Sequence, residues 1–119
     1  MGTGNGIVDY LQAGLRAASM RQAVIANNIA NSNTPGYRRR AVEFEAVLAD
    51  AIDSGGTVDL AEVRPRVVRP GTTPVNPDGN DVDMEKEVGD LIKNASTYKV
   101  YLRLLARMYR QAEMAIQQP

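Results

Sequence analysis

MEKEVGDLIKNASTYKVYLRLLARMYRQAEMAIQ, residues 84–117, is the stretch that sets the architecture of this chain. Met84, Val88, Leu91, Ala95, Tyr98, Leu102, Leu105, Tyr109, Ala112 and Ile116 succeed one another in steps of four and three without a slip. A 3.5-residue repeat of this length predicts a helix whose apolar seam winds left-handedly against a partner. Asp83 stands where an N-cap belongs, and Glu85 and Glu87 suit the positive end of the helix dipole. Gly89 is the weak point, costing roughly 1 kcal/mol relative to Ala. A helix from 84 to 117 is about 50 Å long. A compact domain of this size has a radius of gyration of about 14 Å. The helix does not fit inside such a ball, so the molecule is expected to be a rod or to lie in one.

Working back along the chain, residues 7 to 31 read as a second helix of about 37 Å. Val8, Leu11, Leu15, Ala18, Gln22, Ile25 and Ile29 again step by three and four, and all but Gln22 are apolar. Ala13, Ala17, Ala18, Ala23, Ala26 and Ala30 allow close approach from more than one side. Neither seam is satisfied alone. An antiparallel hairpin buries one stripe of each and leaves other helix surface wet. Such a hairpin can dimerise into a four-helix bundle, or stack heterologously into an open polymer.

Between the helices, Thr34-Pro35-Gly36-Tyr37 carries Pro and Gly at the central positions of a type II turn. Phe44, Val47, Leu48, Ala51 and Ile52 predict a short amphipathic helix, broken by Ser54-Gly55-Gly56. Pro65, Pro70, Pro74 and Pro77, with Gly71 and Gly79, make residues 64–80 extended or looped, with Val67-Val68 as a short edge strand at most. The expected fold is all-α, one structural unit: an N-terminal core helix in residues 1–33, an elbow, short helix and irregular Pro/Gly-rich segment in 34–80, and a C-terminal core helix in 81–119. The long terminal helices are expected to pack as a coiled coil.

Composition removes most chemistry. The chain has no Cys and no His, so thiolate nucleophiles, Cys/His metal sites and the usual base near neutral pH are all missing. One Phe and no Trp leave little with which to fill a globular core. Carboxylates gather at Asp78, Asp81, Asp83 and Glu85, where helix capping accounts for them. They make no calcium loop: counting Asp78 as the first position, the fifth is Val82, the sixth Asp83 and the twelfth Gly89. No cofactor is expected. Residues 1–6 lack a basic n-region, so no cleaved signal peptide is expected, and no stretch reaches the roughly 18–20 apolar residues of a membrane span.

Net charge is zero, yet unevenly spread. Residues 1–40 hold five Arg against Asp9 (+4), residues 41–90 twelve acids against four bases (−8), and residues 91–119 five bases against Glu113 (+4). Two basic ends flank an acidic middle, which balances charge within the molecule or complements a neighbour. Arg38-Arg39-Arg40 reads as a solvated loop rather than a nucleic-acid patch in a neutral chain. Arg103, Arg107 and Arg110 share one helix side, where like charges repel slightly; the helix dipole or a neighbour's acids answer them.

Residues 26–37, ANNIANSNTPGY, resemble the N-terminal signature of the flagellar axial proteins of rod and hook. Residues 79–87, GNDVDMEKE, are similar to the segment that opens the C-terminal helix in the proximal rod proteins of the bacterial flagellar basal body. The short middle, too short for an inserted β-domain, also matches them. The likeness is firm at 26–37 and 79–116 and looser at 41–75, departing most in the Pro-rich segment. It implies a non-enzymatic structural subunit of the periplasmic rod, exported through the flagellar type III apparatus without a cleaved signal peptide. Implied partners are copies of itself, other rod proteins and the small adaptor protein at the MS-ring, with no nucleic acid and no direct membrane span. Its terminal helices would form the inner core of the rod and transmit torque. The assembly contacts expected are Leu11, Leu15, Ile25 and Ile29 on one seam and Leu91, Tyr98, Leu102 and Leu105 on the other. Asn28, Asn31, Pro35, Gly36 and Tyr37 are expected to fix the elbow. The competing reading is a soluble coiled-coil adaptor forming a small helical-bundle oligomer.

Overall fold

Residues 6–53 and 59–117 are described by the computed structural model. The chain runs α1 (Gly6–Ala30), β1 (Ala41–Glu43), α2 (Glu45–Asp53), β2 (Arg66–Val68) and α3 (Met84–Gln117). Asp83 caps α3 as its position requires. Its carboxylate accepts the Lys86 N–H at 3.3 Å, and its carbonyl accepts the Glu87 N–H at 2.9 Å. The molecule measures 68 × 31 × 15 Å with a radius of gyration of 18.0 Å, well beyond a compact domain of this length.

The two long helices pair antiparallel. Asn28 meets Glu87, Ala18 meets Asn94, Gly14 meets Tyr101 and Gln12 meets Tyr109, so partners descend one helix as they climb the other. The faces that meet differ from the most apolar ones. On α3 the inward positions are Glu87, Leu91, Asn94, Tyr98, Tyr101 and Leu105, whereas Val88 and Leu102 stand 43% exposed. On α1 they are Leu11, Gly14, Ala18, Arg21, Ile25 and Asn28, with Leu15 and Ile29 only half-buried and Gln22 exposed. Both seams keep alternate expected positions and move the others by one residue.

A second face of α1 carries the apolar core. Ala13 and Ala17 receive Phe44 and Val63, with Val47, Leu48, Ala51 and Leu60 packed around them. Phe44 precedes α2 and its carbonyl accepts the Leu48 N–H at 2.8 Å, so the ring and the helix start share one anchor. Ile52, expected on the same apolar face, is 55% exposed. The expected break at Ser54-Gly55-Gly56 falls outside the described residues.

The fold is not purely α-helical. β1 and β2 form an antiparallel ladder, Ala41 opposite Val68 and Glu43 opposite Arg66, with a cross-strand ion pair of 2.7 Å between the last two. Strands of three residues are too short to show a period, and their pairing spans more than twenty residues of chain. Val67-Val68 does form the edge strand, but its partner was hidden beside the arginine run.

Tyr101 lies across Gly14, so closely that a β-carbon there would overlap its ring. Burial against α1 pushes the Tyr101 phenol above its ordinary pKa, with Tyr10 adding to the effect. Gly89, in contrast, has open space around it. The two substitutions to alanine are therefore expected to have opposite signs. Gly14→Ala lowers stability in urea denaturation by about 1–3 kcal/mol through overpacking, despite better helix propensity. Gly89→Ala raises it by about 0.5–1 kcal/mol.

Candidate functional site

Asn28 occupies the inward face of α1 in the last turn of the helix, and is fully buried. Its amide nitrogen donates to the Arg40 carbonyl at 2.8 Å and to Glu87 Oε1 at 2.9 Å. Its oxygen accepts from the Arg40 N–H and the Tyr37 hydroxyl, both at 3.0 Å. An asparagine side chain offers two donors and two acceptor positions, and all four are used. Glu87, equally buried, takes its second hydrogen bond from Arg39 Nε at 2.6 Å. Arg39 is only 4% exposed and also approaches Asp90 at 3.8 Å. The expectation of a solvated arginine loop is thus corrected at Arg39, whose charge lies inside the molecule against a carboxylate.

The same knot extends to the segment before α3. Asp81 accepts the Arg39 N–H at 2.5 Å and Arg38 Nε at 3.1 Å. Asn80 donates to the Asn31 and Thr34 carbonyls at 2.9 and 2.8 Å, while its own oxygen accepts the Val82 N–H. Asn80 therefore ties the turn that follows α1 to the segment that leads into α3. Helix capping accounts for Asp83, but not for Asp81, which is buried and paired. Pro35-Gly36 turns as expected: the Tyr37 N–H donates to the Thr34 carbonyl at 3.2 Å, and Gly36 has φ of 76°. Gly79, at φ 88°, lets the returning chain lie against it, with a β-carbon there only 3.3 Å from Gly36 Cα.

The positions expected to make assembly contacts scatter over three environments. Leu11, Ile25, Asn28 and Leu105 are buried within the chain; Leu15, Ile29, Asn31, Tyr37, Leu91 and Tyr98 are half-buried; Pro35, Gly36 and Leu102 are exposed. Reading by periodicity missed Glu87, Asn94 and Arg39. Their signal was present as polar residues spaced at seven on the helix and a charge run beside the elbow, yet polarity argued for the surface. The face displaced outward is the apolar one. Met84, Val88, Ile92 and Leu102 line one side of α3 in the open, and Val100 and Leu104 stand exposed elsewhere on it. From Tyr109 to the last described residue, α3 is exposed throughout.

A cleft of about 530 Å³ opens between α1, β1 and α3, lined by Arg21, Arg40, Glu45, Lys86, Asp90 and Lys93. Its charges largely answer one another through Arg21–Glu45 at 2.6 Å and Lys86–Asp90 at 3.4 Å. Hydrogen bonding from Arg21 holds the Glu45 carboxyl below its ordinary pKa. Among the described residues no acidic group is arranged to hold a metal ion, and no described helix is long and apolar enough to cross a membrane.

Residues 10–38, α1 with its elbow, match the family model described as flagella basal body rod protein. Over nearly full length the chain is 30% identical to the flagellar basal body rod protein FlgB of Borrelia hermsii, covering 92% of this chain and 94% of that one. The chain belongs to the FlgB family of flagellar basal body rod proteins. Its FlgB relative in Bacillus subtilis strain 168 is 33% identical, covering 80% of this chain and 81% of that protein. In Escherichia coli K12 the FlgB protein is 31% identical over 82% and 83%. The family is structural, not enzymatic. The stretch matched by the family model contributes Asn28, Tyr37 and Arg38 to the polar knot, and the segment that opens α3 contributes Asn80, Asp81 and Glu87.

Two outcomes follow from the burial of these charges. Glu87→Ala strands the Arg39 guanidinium and is expected to cost about 3–5 kcal/mol in chemical denaturation. For Asp81, burial raises the carboxyl pKa, but the Arg39 N–H and the Arg38 guanidinium outweigh it, leaving the value below that of an ordinary aspartate. Its stabilisation is complete above pH of about 4 and fades as pH falls through the lower folded value. Asp81→Asn should flatten that acid limb of the stability curve, measured by denaturation between neutral pH and pH of about 2.

Proposed function

We propose that this chain is a structural subunit of the proximal rod of the bacterial flagellar basal body, joining the MS-ring region to the rest of the rod. The observation that carries this reading is the apolar stripe Met84, Val88, Ile92 and Leu102, which the chain's own hairpin leaves without a partner. In this reading the stripe completes a supercoiled helix packing only when other subunits arrive. Leu15, Ile29 and Leu102 make those contacts, joined by the parts of Leu91 and Tyr98 that α1 leaves uncovered, with Pro35 and Gly36 at the exposed elbow. Leu11, Ile25, Asn28 and Leu105 serve them by holding the hairpin together. Neighbours are copies of the same chain, other rod proteins and the small adaptor protein at the MS-ring. Delivery to the periplasmic rod is through the flagellar type III export apparatus. Stiff, laterally packed helices of this length suit the transmission of torque.

A soluble adaptor closing as a four-helix bundle uses one stripe per hairpin. Exposure of Val100 and Leu104 away from that stripe favours several neighbours, and so an open assembly. An epitope inserted at Gly55-Gly56 separates the two: label at the proximal end of the rod in purified hook–basal bodies supports the rod reading, and motile cells whose basal bodies lack the protein support the adaptor. Leu102→Asp adds a sharper outcome. Because Leu102 is 43% exposed in the free chain, its helicity by circular dichroism should match the wild type. Incorporation into basal bodies, and with it motility, should be lost, since the charge would be buried without a partner on assembly.

A further inference from the structure

Arg103, Arg107 and Arg110 recur at i, i+4 and i+7 on α3, and all three are exposed. Among the described residues none of them enters an ion pair. They stand about half a turn from Leu105, whose side chain faces α1, so they point away from the rest of the chain. Val100 and Met114, 53% and 55% exposed, share their side of the helix. This is a cationic face with apolar flanks and no intramolecular occupant.

The complementary face lies on α2. Val47, Leu48 and Ala51 turn inward onto the Phe44 cluster. On the opposite side Ala46, Ala49, Asp50 and Asp53 recur at i, i+3, i+4 and i+7, all exposed. Neither aspartate enters an ion pair among the described residues, whereas Glu43 and Glu45 beside them do. Two alanines beside two aspartates leave room for another helix to approach and present carboxylates to it. Because α2 rests on α1 while the arginines point away from α1, the two faces cannot meet within one molecule.

We propose that the Arg103/Arg107/Arg110 face of α3 docks against the Ala46/Ala49/Asp50/Asp53 face of α2 in a second copy of this chain. The inference rests on the rod reading and supplies one of its lateral contacts. Different surfaces meet, so the contact is heterologous and propagates from copy to copy instead of closing as a two-fold dimer. Opposite charge sets the register and excludes the reversed pairing, arginine face on arginine face.

The chain has no cysteine, which makes disulfide trapping unambiguous. In purified hook–basal bodies, the variant Ala49→Cys/Val100→Cys should give reducible dimers, trimers and higher species on mild oxidation. In that background Arg103→Glu/Arg107→Glu should remove the ladder and reduce incorporation about tenfold or more, as like charges are brought together. Adding Asp50→Arg/Asp53→Arg should restore both. The contact is overturned if the trapping variant is present in basal bodies but gives no ladder. It is equally overturned if the arginine reversal, with wild-type helicity, incorporates normally, or if the double reversal fails to rescue it. Any of those results leaves the rod reading standing. Absence of the unmodified chain from basal bodies would defeat the rod reading itself, and the contact with it.

Discussion

Glu87 enters the interior of this protein as a carboxylate, and a buried carboxylate persists only where charge and hydrogen-bond donors meet it. Arg39 and Asn28 supply both, at 2.6 and 2.9 Å. To do so, the end of α1, the elbow and the start of α3 must arrive at one place together. Asn80 and Asp81 tie the remaining strands of that junction, and no buried side-chain polar atom among the described residues is left without a partner. The hairpin angle, the helix rotation and the path of the elbow all follow from this knot.

The rotation has the largest consequence. Two candidate seams on α3 share Leu91, Tyr98 and Leu105 and differ only at alternate positions. One adds Val88, Ala95 and Leu102, the other Glu87, Asn94 and Tyr101. Burial of apolar area, at roughly 25 cal/mol per Å², favours the first most clearly where Val88 competes with Glu87. The chain adopts the second because its polar members are answered: Glu87 by Asn28 and Arg39, and Asn94 by the Ala18 carbonyl at 2.8 Å. Tyr101 is accommodated by Gly14. On α1 the same exchange brings in Gly14, Arg21 and Asn28 for Leu15, Gln22 and Ile29. Arg21 is answered by Glu45 and the Val42 carbonyl. The apolar stripe released by this choice is the surface an assembling subunit needs.

Helix existence and extent were legible in the sequence, since both seams are long and the Asp83 cap is unmistakable. The Pro35-Gly36 turn and the placement of Phe44 were legible for the same reason, being written in adjacent residues. Rotation was not, because it depends on partners 48 to 76 residues distant that no local pattern announces. The β1–β2 ladder was hidden similarly, its strands being too short to carry a period. Arg39 looked like surface because three consecutive arginines usually are, and only the approach of α3 gives the middle one an interior to occupy. Asn28, Asn31 and Tyr37 from the string at 26–37 and Asn80, Asp81 and Glu87 from the string at 79–87 turn out to belong to one network, which Arg38 and Arg39 join.

The most direct test of this account is the thiol-reaction rate of single cysteines placed along α3 in the dilute, folded chain. With the polar seam inward, Val88→Cys, Ala95→Cys and Leu102→Cys should all react at rates near those of an exposed cysteine, and Leu105→Cys should be strongly protected. Protection at positions 88, 95 and 102 together would mean that the apolar seam faces α1, and that the polar knot does not set the rotation of the helices.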